Sequence, residues 1–232
     1  MYIADARHHK LKCIQRKCGD CGCDAIVSFF KPLAQVMPVS HRSSMTHIVV
    51  KLAEELEKLA GHLFVASWQQ QQFSLMLKNV KKSRVILNID FAENYSCKSQ
   101  TEVQSAHWGH NQVTIHPTCA YYQCQEGNCE NTVTEHIIFV SDDKTHDPAA
   151  VMKFIEVTNT NLQQKRGLSI HRQIQMRDGC VSQYKSKVPF TDVSYSLTDF
   201  GFPTECHFYD SKHGKGPSDG AGAVVRVLLE EQ

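Results

Sequence analysis

Residues 85–96 read VILNIDFAENYS, a short apolar strand pattern that ends at Asp90. Two later stretches repeat this arrangement. RQIQMRDGCVSQYKS at 172–186 brings Asp178 to the end of a strand pattern, and HGKGPSDGAGAVVRVLL at 213–229 places Asp219 at the start of a helical one. Any one such aspartate is plainly explained as a cap of a turn or a helix. Three of them at the ends of adjacent elements predict a shared site at one sheet edge, where open α/β sheets bind ligands.

The chemistry of this predicted site follows from charge. Three carboxylates a few ångströms apart repel one another unless a cation lies between them. Oxygen ligands are those that Mg²⁺ and Mn²⁺ prefer in proteins. The sequence therefore predicts a metal-dependent phosphoryl-transfer site.

Size and composition restrict the class of protein. The chain has 232 residues, of which 41% are hydrophobic, enough for one large domain, or one domain with an appendage, around a packed core. Lys and Arg (25) balance Asp and Glu (24), so the chain has no global attraction for nucleic acid and any DNA contact must be local. The N-terminus lacks the apolar segment of a signal peptide, and no apolar run reaches the length of a membrane span. We expect an intracellular protein without a membrane partner.

Residues 1–40 form a Cys-rich segment that we expect to be irregular. In a reducing compartment the ten cysteines of the chain are thiols or metal ligands. A cluster with C-x4-C-x2-C-x-C spacing can bind zinc through four thiolates, although its C-x-C pair is unlike the C-x2-C pairs of common zinc fingers. Free thiols are the alternative. The candidate zinc ligands are Cys13, Cys18, Cys21 and Cys23.

Residues 41–83 are predicted to be helical. From Thr46 apolar residues recur at helical spacing as far as Leu59, and Gly61 is expected to end that helix. A second helix is expected to follow, carrying Phe64 and Trp68.

Residues 84–232 are predicted to form an α/β core with the order β-β-β-α-β-α-β-α, which is the order of ribonuclease H-like folds. Right-handed crossovers would bring the first and fourth strands side by side, making Asp90 and Asp178 neighbours. Asp147 is the expected N-cap of the first core helix, with Pro148 at its first position. The predicted strands are Arg84–Asp90, Gln112–Gln123, Thr132–Val140, Ile170–Met176 and Thr204–Tyr209, with helices ending near Gly167, beginning at Ser182 and beginning near Ser218.

A family resemblance adds to this prediction. The chain contains DFAENYS, QSAHW, SDDKTHD, RDGCVSQYKSK and HGKGPSDG, and these motifs resemble those of transposon-encoded proteins repeated through animal genomes. Members of that group read much like DFAENYS, QSAHWSH, ISDD, SDGCASQYKN and SHGKGPSDG. The likeness runs from about Cys13 to Arg226. It implies a ribonuclease H-like transposase core of the DDE/D type, which cuts and joins DNA with two Mg²⁺ or Mn²⁺ ions.

By position, the resemblance assigns the acid triad to Asp90, Asp178 and Asp219. One carboxylate of a two-metal site bridges both ions, and Asp90 suits that role because it ends the central strand. Two groups of residues are expected to contact substrate phosphate, namely Lys185 after the second acid, and His213 with Lys215 in the glycine-rich approach to the third. A glycine turn that serves only geometry is the alternative there. We expect a nuclear protein whose partner is DNA, and a homo-oligomer stays open.

The chain departs from the family pattern at Arg177, where such proteins usually have serine, and in its C-terminal VVRVLLEEQ, where they are basic. Successive strand residues point to opposite faces, so the Arg177 guanidinium can face away from the metals. We expect weak metal-dependent nicking of DNA, lost in Asp178→Ala and improved by Arg177→Ser. An inactive descendant that binds DNA or protein is the main alternative. A nuclease for RNA–DNA hybrids would require Glu156 to face the site.

Overall fold

The computed structural model describes residues 2–3, 8–20, 22–92, 94–97, 111–180, 182–209 and 216–230. The chain divides into two units, Met1–Gln71 and Gln72–Gln232. No helix in the described ranges is both long enough and apolar enough to cross a membrane.

The N-terminal unit is largely helical, and the expectation of an irregular segment over 1–40 is wrong. Two-residue strands, Tyr2–Ile3 and His8–His9, pair antiparallel, and three helices follow: α1 (Leu11–Ile14), α2 (Cys23–Val36) and α3 (Val39–Lys78). The last seven residues of α3, from Gln72, belong to the second unit. Pro32 lies inside α2, where its missing N–H removes one helical hydrogen bond. The helix nevertheless continues past Pro32 to Val36. Its first residue, Cys23, donates a hydrogen bond to the Ala53 carbonyl of α3 at 3.0 Å, near the buried side chains of Val49 and Ala53.

The predicted helix end at Gly61 is also wrong, since α3 continues from Val39 to Lys78. A glycine ends a helix by adopting a left-handed conformation. Gly167 (φ 67°) and Gly201 (φ 81°) adopt it where helices end, whereas Gly61 is absent from the glycines with positive φ. Within a helix, glycine costs only about 1 kcal/mol relative to alanine, which the rest of α3 tolerates.

The second unit is built on a mixed sheet of five main strands. They are β1 (Arg84–Ile89), β2 (Gln112–Gln123), β3 (Thr132–Ser141), β4 (Arg172–Arg177) and β5 (Thr204–Phe208), in the order β3-β2-β1-β4-β5. A two-residue strand, Tyr95–Ser96, also pairs with β2. Strand β1 is antiparallel to β2 and parallel to β4, which is parallel to β5, and β3 is antiparallel to β2. All five predicted strands exist, and the expected adjacency of β1 and β4 is confirmed.

Three helices complete this unit: α4 (Pro148–Thr160), which runs into a π-helical turn (Asn161–Lys165), α5 (Lys187–Phe200) and α6 (Pro217–Glu230). The predicted cap of α4 is confirmed, because the Asp147 carboxylate accepts a hydrogen bond from the Ala150 amide at 2.9 Å. The helix predicted from Ser182 instead begins at Lys187. Ser186 is extended (φ −117°), so the helix starts only after it.

The sheet is buried on both faces, which explains the uninterrupted apolar run of β1. On one face Val85, Leu87 and Ile89 pack against Val151 and Ile155 of α4. The other face holds Ile86 of β1, with a second apolar cluster whose members include Phe73, Ile174, Met176 and Tyr209. Asn88 breaks the apolar run of β1 on this second face, and it is buried (1% exposed).

Candidate carboxylate site

Asp90 and Asp178 follow the two central strands at the same end of the sheet. In the parallel β1–β4 pair Ile89 lies opposite Arg177, so each acid is the next residue after a paired position. One oxygen of Asp90, Oδ1, accepts a hydrogen bond from the Phe91 amide at 2.8 Å. The register of two strands that are distant in sequence therefore brings these carboxylates to one edge, as predicted.

Asp219 reaches this edge from the first turn of α6. Its amide donates to the Gly216 carbonyl at 3.1 Å, and its Oδ2 accepts from the Gly216 amide at 2.9 Å. These two bonds close a turn around Gly216, Pro217 and Ser218. The turn fixes the Asp219 carboxylate at the N-terminal end of the helix, where the helix dipole favours a negative charge.

Asn88 ties the start of α6 to the central strand. Its Oδ1 accepts from the Ser218 hydroxyl at 2.6 Å and from the Ser218 amide at 3.3 Å, while its Nδ2 donates to the Tyr209 hydroxyl at 2.8 Å. Asn88 lies two residues before Asp90, and Ser218 adjoins Asp219. One buried amide thus holds the elements that carry two of the three acids, together with the end of β5.

Two glycines let α6 lie this close to β1. A Cβ on Gly216 would be 3.0 Å from Asn88 Oδ1, and one on Gly222 would be 3.2 Å from the Ala92 Cβ. A side chain at either position would push the helix away from the sheet edge. Gly220, also in the predicted glycine-rich approach, has open space around it.

Electrostatics show that the three acids interact. Burial, followed by the charges of Asp219 and Asp178, raises the pKa of Asp90 to about 7, against the opposing effect of its bond from the Phe91 amide. Burial, and then the Asp90 charge, also raises the pKa of Tyr184 well above its ordinary value. Asp90 is therefore a carboxylate that loses much of its preference for the charged state when no cation is present.

The donor set fits a hard divalent ion. All three side chains offer carboxylate oxygens. The hydrogen bond from the Phe91 amide is made to Oδ1 of Asp90, and the one from the Gly216 amide is made to Oδ2 of Asp219. The buried Tyr184 hydroxyl, whose pKa responds to Asp90 and Asp178, has no hydrogen-bond partner among the described residues. In the described part of the chain, no three His, Cys, Asp or Glu side chains already form a group able to hold a metal. The carboxylates would have to reorient around an ion.

Arg177 lies on the opposite face of β4 from Met176, as strand alternation predicts. Its guanidinium is buried (1% exposed), and both Nε (2.9 Å) and Nη2 donate to Gln175 Oε1. The chain of amides continues, since Gln175 donates to Gln173 at 2.5 Å and Gln173 to Asn159 of α4 at 2.6 Å. The cation beside Asp178 in sequence is thus engaged in a polar ladder, and its charge also acts on the Tyr184 hydroxyl and on the Asp192 carboxylate.

Of the predicted phosphate contacts, Lys185 lies near the acids. A Cβ on Gly179, the residue after Asp178, would be 3.2 Å from Lys185 Nζ. The ammonium also lies 4.8 Å from the ring centre of Phe208, a cation–π distance. His213 and Lys215 lie outside the described residues.

The N-terminal thiols make other contacts. Cys13 is buried, and Cys18 and Cys23 are partly buried. The Cys23 thiol donates to the Ala53 carbonyl at 3.0 Å, and that of Cys18 lies 3.8 Å from Asp20 Oδ2. Cys21 lies outside the described residues, so zinc binding stays a prediction.

Sequence reasoning missed the residues that support the acids, namely Asn88, Ser218, Tyr184 and Tyr209. One signal was present, because an asparagine inside VILNI is unusual for a strand buried on both faces. Glu156, the extra acid considered for the site, is exposed and pairs with Lys153 at 2.9 Å.

These features define the class of protein: an α/β protein with a mixed sheet and three interacting carboxylates at one edge. Within that class the chain belongs to the family described as "Domain of unknown function (DUF8701)", which matches residues 69–232. No curated protein matches the chain. Among solved structures, a Ppx/GppA family protein of Aquifex aeolicus is similar at 7% identity with a TM-score of 0.25. That match covers 54% of this chain and 35% of the other. A TM-score this low does not establish a shared fold.

Proposed function

We propose that residues 84–232 are a ribonuclease H-like catalytic core that cleaves DNA strands and joins them with the help of divalent ions. One observation carries the proposal: Asp90 and Asp178 follow adjacent parallel strands in register, and the charge of Asp219 reaches Asp90. The strand order β3-β2-β1-β4-β5 with an antiparallel β2 supports the fold assignment. The transposon-like motifs support DNA in the nucleus as the substrate.

Asp90, Asp178 and Asp219 would hold Mg²⁺ or Mn²⁺. When bound, such ions activate the attacking water or 3′ hydroxyl and stabilise the leaving oxygen. Other residues of the chain would position the acids and contact the substrate. Asn88 keeps α6 and its acid against the central strand, Tyr184 offers a buried hydroxyl beside the acids, and Lys185 supplies a cation for a phosphate oxygen.

Nicking of supercoiled plasmid DNA in manganese at low salt tests the proposal. We expect slow nicking by the parent, loss of nicking in Asp178→Ala, and unchanged nicking in Asp142→Ala, because Asp142 is an exposed acid on the loop after β3. Absence of cutting by a folded parent under these conditions would refute catalysis.

Arg177→Ser restores the residue that similar proteins carry, and it is expected to nick faster. The structure adds a cost, because the substitution removes a buried side chain that bonds Gln175. The variant must therefore be assayed at a temperature at which its fold is shown intact by circular dichroism.

A second candidate function is that of an inactive descendant that keeps the fold and binds DNA or protein. The departure at Arg177 and the lack of a ready-made metal group among the described residues favour it. Isothermal titration with Mn²⁺ separates the two, since the enzyme must bind the ion through its carboxylates. Hydrolysis of RNA–DNA hybrids is disfavoured, because Glu156 pairs with Lys153 at the surface.

A further inference from the structure

An open depression of about 780 Å³ lies at the start of α5. It is lined by Lys185, Ser186, Lys187, Phe190, Thr191 and Ser194. Two cations, three hydroxyl groups and one aromatic ring thus surround a single space on the surface of the second unit. The proposed catalytic function assigns a role to only one of these residues, Lys185.

Phe190 is the unusual member of this set. Its side chain is 51% exposed, yet its ring is fixed by an edge-on contact with Phe208, at 6.0 Å between centroids and an interplanar angle of 70°. A held but exposed ring offers a face on which a flat ligand can stack. Lys185 packs on the same Phe208, so the cation and the exposed ring share one support.

The charges of the depression suit an anionic ligand. Neither Lys185 nor Lys187 forms an ion pair with a carboxylate of the described residues. The hydroxyl of Ser186, at the N-cap, makes no capping bond, and the Ser194 hydroxyl is engaged by the Thr191 carbonyl at 2.6 Å. Cations without a carboxylate partner among the described residues, beside an exposed aromatic ring, are a combination suited to single-stranded nucleic acid.

The depression adjoins the carboxylate site. Lys185 lines it and also lies beside Gly179, the residue that follows Asp178. A strand whose phosphate reaches the carboxylates therefore passes within reach of Lys185, which shares the depression with Phe190. That geometry makes an adjoining nucleotide of the same strand the natural occupant.

We propose that this depression binds an unpaired nucleotide next to the phosphate that is cut, with its base stacked on Phe190 and its flanking phosphates on Lys185 and Lys187. The proposal rests on the proposed function, because it places the acids and the depression on one DNA strand. It adds a substrate preference: DNA that is single-stranded beside the cut binds better than continuous duplex.

Fluorescence anisotropy with a labelled thymidine oligonucleotide tests the proposal in EDTA, where no cutting occurs. We expect Phe190→Ala to weaken binding roughly 5- to 150-fold, the range for loss of one stacked base. Lys187→Gln should reduce the slope of log affinity against log salt by about 0.7. The matched controls are Tyr195→Ala, an aromatic residue 59% exposed on the same helix, and Lys144→Gln on an exposed loop, neither of which lines the depression. Variants that bind no more weakly than these controls would overturn the proposal.

Phe190→Trp separates stacking from charge and avoids the loss of a large side chain. This variant should keep the parent affinity, and the added tryptophan emission should be quenched by the oligonucleotide but not by an abasic one of equal length. Equal quenching by both, or none by either, would contradict base stacking.

Failure of the nucleotide-binding proposal can be distinguished from failure of the catalytic proposal. If the parent does not nick DNA but Phe190→Ala still weakens binding, the nucleotide site stands without the enzyme. If the parent nicks DNA and Phe190→Ala binds like the controls, the site falls and the enzyme stands.

Discussion

Replacing Asp90 by asparagine should stabilise the metal-free protein at neutral and alkaline pH. Asparagine keeps the oxygen that accepts the Phe91 amide but carries no charge. In the parent, burial and the charges of Asp219 and Asp178 raise the pKa of Asp90 from the usual 3.8 to about 7. That difference corresponds to at most about 4 kcal/mol of unfolding free energy above pH 7.

The sign follows from proton binding. Between about pH 4 and pH 7 the folded parent holds a proton on Asp90 that the unfolded chain has lost, so its unfolding free energy falls as pH rises. Below about pH 4 both states are protonated and the penalty vanishes. Asp90→Asn does not lose this unfolding free energy, because asparagine carries no titrating group. The variant should therefore match the parent most closely near pH 4 and exceed it by a growing margin up to about pH 7.

The quantity to measure is the difference between variant and parent in urea unfolding, across that pH range. The parent curve alone is ambiguous, because His116 acts in the opposite direction. Burial lowers the pKa of His116 from 6.5 to about 3, so the unfolded chain binds the proton first and stability is lost as pH falls below 6.5. Subtracting the parent from Asp90→Asn removes this contribution. The matched control is Asp142→Asn, at an exposed acid.

A divalent ion gives the second arm of the experiment. Mg²⁺ or Mn²⁺ should raise the melting temperature of the parent by neutralising the carboxylates, and Asp90→Asn should lose most of that response. The reasoning is refuted if the variant-minus-parent difference is the same at pH 4 and pH 8, or if Asp142→Asn shows a difference as large.

Three further outcomes are expected. Asn88→Ala should lower the unfolding free energy by about 1–3 kcal/mol, because it leaves the buried Ser218 hydroxyl without its hydrogen-bond acceptor. It should also lower the nicking rate and the rise in melting temperature with metal. A destabilised protein with an unchanged metal response would show that Asn88 does not position the acids. His116→Phe should flatten the fall in stability between pH 6.5 and pH 3, since the substituted ring stays within the aromatic contacts of Phe91 and Phe154 without a titrating group, and an unchanged acid limb in urea unfolding would count against a buried neutral histidine. Stoichiometric zinc should be found by elemental analysis of protein purified without chelator and should be lost in Cys13→Ser; its absence from the parent would leave the N-terminal cysteines as thiols.

Local sequence determined much of the core. Two local signals encode an element here: the apolar run VILNI, through its hydrophobicity, and the Asp147–Pro148 start of α4, through capping. These signals act between residues a few positions apart, so they are visible in one sequence. The same signals failed at Gly61, where the 40-residue helix α3 continues through a residue that local preference disfavours.

The candidate acids were also visible in the sequence, but their mutual arrangement was not. Asp90 and Asp178 become neighbours only because Ile89 pairs with Arg177 across β1 and β4. Asp219 comes to the same edge because Ser218 bonds an asparagine 130 residues earlier in the chain. No local pattern encodes contacts between residues so far apart.

The fold likewise decided the charge state of Asp90 and the placement of the Arg177 side chain. The sequence shows an acid at 90 and a cation at 177, but only burial beside two other carboxylates gives Asp90 its pKa of about 7. Only the fold places the Arg177 guanidinium on Gln175, in a ladder that continues to Gln173 and Asn159. Residue type and local spacing determined which groups the site could contain, whereas desolvation and long-range pairing, which exist only once the chain has packed, decided how those groups behave.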